Sequence, residues 1–162
     1  MLSKKQIRFK NDFLSPIKQK LYFAKNLPMG LISGIKLTEL DEGRAVSEVT
    51  FRWLNKNPFN SIYFAVLSMA AELSTAAPTM LALKAVDADI ALIIVDLRAE
   101  FVKKAQTTIS FTCLEYDEID QAIRLLNKPG DTGSVTVKTV GRDVSGEEVA
   151  TFYFTWSFKR RS

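Results

Sequence analysis

A chain of 162 residues, 47% hydrophobic and 25% charged, suits one globular domain with an appendage and is too short for two full cores. It contains no histidine, which excludes a Ser-His-Asp triad, a Cys-His dyad, a His-ligated zinc and a histidine general base, and its one cysteine, Cys113, excludes an internal disulfide and fits a reducing, cytoplasmic setting. The net charge of +4 is terminal: residues 1–25 carry seven basic side chains against Asp12 alone, Lys159-Arg160-Arg161 add three, and the body between is mildly acidic, with no basic, aromatic-interleaved stripe that would point to nucleic acid.

Residues 4 to 26 are expected to be helical, with a broken apolar stripe (Ile7, Phe9, Phe13, Leu14, Ile17, Leu21, Phe23) and with Pro16 starting or kinking a second segment. There is no continuous apolar core of the kind a secretory signal needs. This basic helix can cover a pocket, touch an anionic membrane or pad a dimer; the sequence does not choose. Asn26 to Gly30 is expected to be a loop. A hairpin follows, Ile35–Leu40 and Arg44–Arg52, turning at Asp41-Glu42-Gly43.

From 57 to 83 the only formal charge is Glu72. Asn57-Pro58 reads as a helix start, with Asn60 or Ser61 as another cap, and Ile62–Ala77 is apolar on nearly every side, as in a helix buried all round. Pro78 is expected to bend or end it. A central carboxylate costs roughly 2.5–3.5 kcal/mol to insert in a bilayer. With patterned strands on both sides, no integral membrane segment is expected. Strands follow at Ile90–Val102 and Thr107–Glu115, with Lys103-Lys104-Ala105 as a short connection suited to an antiparallel pair. Asp117–Asn127 reads as a short amphipathic helix. Val135–Arg142 and Glu147–Phe158 form a last hairpin, whose second strand alternates Ala150, Phe152, Phe154, Trp156 and Phe158 with Thr151, Tyr153, Thr155 and Ser157. The order predicts an α+β fold in which an antiparallel sheet wraps a central apolar helix.

Two stretches resemble the hotdog-fold superfamily of acyl-CoA thioesterases and acyl-thioester dehydratases. Asn57 to Glu72 is similar to the family's loop and central helix, and Leu97-Arg98-Ala99-Glu100-Phe101-Val102-Lys103-Lys104-Ala105 to the strand that ends in an aromatic residue and a Pro-Ala-like turn. The Ala70-Ala71-Glu72-Leu73 pattern resembles a poorly characterised thioesterase-like branch. The resemblance divides the chain into an N-terminal helical extension (1–30) and a hotdog domain (31–162). It implies a homodimer, or a dimer of dimers, whose sheets join edge to edge. The acyl-CoA or acyl-carrier thioester would be bound at the interface beside each central helix, with neither cofactor nor metal.

Thioester hydrolysis needs an oxyanion stabiliser and an activator of water. The helix start offers backbone N–H groups around Asn60, Ser61 and Ile62, with the Asn57 side chain as a further donor. Capping of a buried helix explains Asn57 and Asn60 equally well. Many family members place His-Gly-Gly where this chain has Phe59-Asn60-Ser61, and an acidic residue where it has Ser68; the first carboxylate, Glu72, comes one turn later on the same face. Glu72 is a candidate base with Ser68 helping to hold a water, or else a structural acid paired across the dimer with Arg52, Arg98 or a backbone group. Lys103 and Lys104 are candidates for coenzyme A phosphates, or a solvated turn pair. Phe59, Tyr63 and Phe64, with Trp53, are candidates to line the acyl pocket, or core packing. The resemblance implies acyl-thioester hydrolysis. The rival is a hotdog module that binds the acyl group without turning it over, and dehydratase chemistry fails for want of histidine.

Overall fold

The computed structural model describes all 162 residues. Ser3 opens α1 (Lys4–Leu14) with a reciprocal capping box to Gln6, and Pro16 takes the first position of α2 (Pro16–Asn26), where its missing N–H costs no hydrogen bond. Two buried glutamines then fasten these helices down. Gln6 donates to the Leu81 carbonyl and to the Tyr116 hydroxyl, and Gln19 donates to the carbonyls of Phe13 and Leu37 while accepting from the Leu37 N–H. With Phe13 and Phe23 in the common core, the extension is part of the packed body.

Where a loop is expected after Asn26, the chain instead forms a third helix, α3 (Pro28–Ser33). Pro28 occupies its first position, so the proline that reads as a loop signal in fact starts a helix. Gly34 closes it at φ 75°, the left-handed conformation that glycine adopts without cost.

Six strands follow in an antiparallel sheet of order β1-β2-β4-β5-β6-β3: β1 (Lys36–Leu40), β2 (Ala45–Thr50), β3 (Ile90–Phe101), β4 (Thr108–Cys113), β5 (Thr132–Arg142) and β6 (Glu148–Arg160). The first and last hairpins form as the sequence predicts. The expected β3–β4 pair does not. β3 pairs with β6 at one edge of the sheet, and β4 lies between β2 and β5, so residues 102–107 are a crossover. Ala105 explains the route: its side chain is buried and its carbonyl accepts from the Ile62 N–H at 2.7 Å, which ties the crossover to the start of the central helix.

That helix is α4 (Phe64–Leu83), and the sheet curls around it in the hotdog arrangement. It is long and apolar enough to cross a membrane, but 12 of its 20 residues are buried inside the fold, so it is a core helix. Pro78 lies within it and does not end it. Proline removes one helical hydrogen bond, yet Pro78 is itself buried, and packing on both sides of it outweighs that local cost. Two buried hydroxyls of α4 find partners across the core: Ser74 Oγ meets Thr139 Oγ1 at 2.7 Å, and Trp156 donates to Thr75 Oγ1. The inward residues Phe152, Phe154, Trp156 and Phe158 of β6 pack as the alternation predicts. The amphipathic helix α5 (Tyr116–Arg124) lies against the second half of α4, where Tyr116 meets Gln6. Cys113 is a buried core residue whose thiol is pushed up to about 11 by burial.

Candidate functional site

The loop from Asn57 to Tyr63 is built around one side chain. Asn57 Oδ1 accepts from the N–H groups of Phe59 and Ser61 and from the Ser61 hydroxyl, while its amide donates to Ser61 Oγ and, at 3.4 Å, to the Ile62 carbonyl. This is the local pairing that makes Asn a turn residue. Asn60 completes the turn at φ 55°. The helix-start signal at Asn57-Pro58 therefore marks a turn, and α4 begins seven residues later at Phe64, with Tyr63 as a cap that supplies no side-chain bond.

This changes which backbone amides are free at the helix start. The Asn60 N–H donates to the Asn57 carbonyl, the Ser61 N–H to Asn57 Oδ1 and the Ile62 N–H to the Ala105 carbonyl, so the three amides expected to be available are all engaged. The amides without an acceptor are the next two in the helix, Phe64 and Ala65. They sit at the positive end of the helix dipole. The Asn57 amide is likewise committed to the loop.

A cleft of about 570 Å³ opens at this helix start. Phe59, Tyr63 and Phe64 line it, with Tyr63 and Phe64 edge to face at 4.9 Å. Leu67 of α4 and Phe101 and Val102 at the end of β3, which sequence reasoning did not single out, form the rest of the apolar wall. Only the crossover brings β3 to α4, and periodicity carries no sign of that. Trp53 is exposed and stands outside the cleft.

Lys103 and Lys104 are at the rim, but they are not equivalent. Lys103 is bound by Asp143 at 2.7 Å and by Glu147, both in the β5–β6 turn. The two carboxylates hold its ammonium above the usual lysine range, and Lys103 in turn lowers Asp143. Lys104 is exposed and forms no ion pair, so it is the rim's free cation.

Glu72 and Ser68 lie outside this cleft. Ser68 donates to the Phe64 carbonyl one turn back, as helical serines commonly do. Glu72 borders a separate cavity of about 180 Å³ between α4 and the N-terminal helices, among Phe13, Tyr22, Phe23, Leu27 and Met69. Burial raises its pKa, and no hydrogen-bond or ion-pair partner reaches its carboxylate within the protomer. Arg52 donates instead to the Ile32 carbonyl, and Arg98 pairs with Glu100 while stacking on Tyr153. Eight residues separate Phe64 from Glu72, about 12 Å along the axis. Within one protomer the acid and the free amides therefore cannot hold the same carbonyl. No group of three potential metal ligands comes together in the fold.

Comparison with known proteins agrees with this architecture. The family model described as "Domain of unknown function (DUF4442)" matches residues 20–158. A search of curated protein sequences gives no match. Among solved structures, the chain is similar to a protein of unknown function from Pseudomonas aeruginosa described as a probable thioesterase (19% identity, TM-score 0.72, covering 93% of this chain and 99% of that one). It is also similar to a protein of unknown function from Chlorobaculum tepidum (11%, TM-score 0.75, 92% and 99%) and to a thioesterase from Haemophilus influenzae (10%, TM-score 0.64, 89% and 90%). At these identities the likeness establishes the fold alone.

Proposed function

The chain belongs to the DUF4442 family, and from that footing we propose that it hydrolyses an acyl-CoA or related acyl thioester at a site shared between two protomers of a cytoplasmic homodimer. The observation that carries this reading is the pair of unengaged amides, Phe64 and Ala65, beginning a helix at the mouth of an apolar cleft. Backbone donors of this kind, fixed in place before reaction, stabilise the oxyanion that forms when a thioester carbonyl is attacked. Fold likeness to thioesterases supports the same class of substrate.

The dimer is argued from the two sheet edges. β1 carries Lys36 and Glu39 in ion pairs with neighbours, the charged pattern that discourages strand addition. The open side of β3 is a twelve-residue strand with Ile93 64% and Val95 59% exposed. Such an edge calls for a partner, and a symmetric copy is the commonest one. The outward stripe of α4 (Ala65, Ser68, Met69, Glu72) is only half-buried. If a twofold axis passes near Ser68, two α4 helices run antiparallel, and the amide end of one lies beside Glu72 of the other. The 12 Å gap within a protomer is thereby closed.

In that arrangement Glu72 takes a proton from water, and the oxygen adds to the thioester carbonyl. The amides of Phe64 and Ala65 hold the oxyanion until the carbon–sulfur bond breaks, and Glu72 returns its proton to the departing thiolate, which yields a carboxylic acid and a free thiol. A raised pKa suits Glu72 to the base's role. Lys104 faces the acyl carrier's phosphates at the rim, and Phe59, Tyr63, Phe64 and Phe101 receive the acyl chain.

Mixing two inactive variants tests this. Glu72→Gln removes the base, and Ala65→Pro removes one amide in the first helical turn, where no intrahelical hydrogen bond is lost. Each alone should abolish release of free thiol from acyl-CoAs while the dimer stays folded. An exchanged equal mixture should recover about a quarter of wild-type activity, since half the dimers are mixed and each has one intact site. No recovery refutes the shared site. Saturable acyl-CoA binding by the wild type without thiol release would instead favour the non-catalytic module, a reading that Glu72's lack of an orienting partner supports.

A further inference from the structure

The outermost face of α2 is apolar. Only Gln19 and Phe23 of this helix are buried. At 3.6 residues per turn, the ridge opposite them is Ile17, Leu21 and Ala24. Ile17 is 74% and Leu21 66% exposed, where a surface helix ordinarily presents polar side chains. Lys18 and Lys25 run along one flank of the ridge and Lys20 along the other. The apolar surface extends onto α3, which packs against α2, through exposed Met29 and Ile32.

A cavity of about 480 Å³ opens beside the ridge, between α2, α3 and β1. Leu14, Phe23, Leu31 and Ile35 form its apolar walls, and Lys20 and Arg52 stand at its edge. Lys36, also on the rim, is paired with Glu48, whereas neither Lys20 nor Arg52 pairs with any carboxylate. Arg52 donates to the Ile32 carbonyl and lies across Gly34, where a Cβ would come within 1.8 Å of its guanidinium. Glycine at position 34 thus both closes α3 and leaves room for the arginine.

We infer that this face of the N-terminal extension docks on an anionic lipid surface, with Ile17 and Leu21 entering the interface and Lys20, Lys25 and Arg52 meeting headgroup phosphates. A helix with an apolar ridge between lysines lies in the plane of a bilayer interface, its lysine stems along the apolar layer and its ammonium groups at the phosphates. The charge is of one sign: the extension's only acid through residue 25, Asp12, is already bound by Lys18 and Arg8. That single sign disfavours a second copy as the occupant, because a twofold contact across this ridge would set the lysines against themselves. The inference is independent of the proposed hydrolysis and would hold for a non-catalytic protein.

Co-sedimentation of the full chain with vesicles of phosphatidylcholine, with and without phosphatidylserine and at low and raised salt, tests it. Binding should require phosphatidylserine and weaken with salt. Lys20→Gln with Lys25→Gln should lower the partition roughly 30-fold. Ile17→Gln with Leu21→Gln should lower it at least about tenfold, and glutamine keeps the helix propensity. Absence of wild-type binding to phosphatidylserine vesicles overturns the inference whatever the variants do. Undiminished binding by the glutamine ridge variant, with equal competition by heparin, identifies an acidic macromolecule as the partner and also overturns it. So does a wild-type oligomer that only the ridge variant dissociates, since the ridge would then belong to a self-interface. The lysine pair, which lies on the helix exterior, keeps the test decisive if the ridge variant fails to fold.

Discussion

The Gln19 side chain reads both backbone groups of Leu37, accepting its N–H at 3.1 Å and donating to its carbonyl at 3.0 Å. A side-chain amide here does for β1 what a neighbouring strand would do, and its second amide hydrogen ends α1 at the Phe13 carbonyl. The helical extension and the edge of the sheet are thereby one hydrogen-bonded unit.

Gln19→Ala should therefore be far more damaging than an ordinary surface-helix change. It strands a buried N–H and weakens two carbonyls, and each buried polar group left unpaired costs about 1–3 kcal/mol. Urea unfolding should show a loss of about 3 kcal/mol. A change below about 1 kcal/mol would mean that water replaces the amide.

Glu72 gives stability a definite pH dependence. Burial raises its folded-state pKa above the ordinary value of 4.5, so the folded chain holds its proton to higher pH than the unfolded chain does. Below 4.5 both states are protonated and no penalty exists; as pH rises through the folded pKa the charged form must be buried and stability falls. Glu72→Gln should raise the melting temperature at neutral and alkaline pH, with the gain disappearing in acid. A gain that persists below pH 4.5 would point to packing.

The two rim lysines should separate cleanly. Lys104→Glu should raise the KM for acyl-CoA with little change in melting temperature, because Lys104 has no partner in the protein. Lys103→Ala should leave KM nearly unchanged and loosen the β5–β6 turn, read as faster amide exchange around Asp143 and Glu147. The opposite pattern would make Lys103 the phosphate ligand.

The elements most legible in the sequence are those whose burial pattern repeats locally. The alternation of β6 and the all-round apolarity of α4 each follow from one segment's own residues, and together they imply a sheet wrapped about a helix. What local pattern could not convey is pairing at a distance. Nothing in Lys103-Lys104-Ala105 separates a hairpin from a crossover; the difference lies in Ala105 meeting Ile62, over forty positions away. The effect of proline depends on position: Pro28 begins a helix where a loop is expected, and Pro78 lies inside one without ending it because packing holds both sides. Phe59, Tyr63 and Phe64 and the Lys103-Lys104 pair, which the sequence offers as separate features, line one cleft in the structure. The available amides were displaced to Phe64 and Ala65, because Asn57 uses its side chain to build a turn, an outcome that its helix-capping chemistry does not distinguish.

The placement of β3 bears on how the chain is made. Its only partner strand within the protomer is β6, synthesised about 50 to 70 residues later, and its other edge pairs with no strand of the protomer. As the chain emerges from the ribosome, a long and sticky ribbon must wait unpaired until nearly the whole sheet exists. This strand, more than any other, is where a chaperone would first find something to hold.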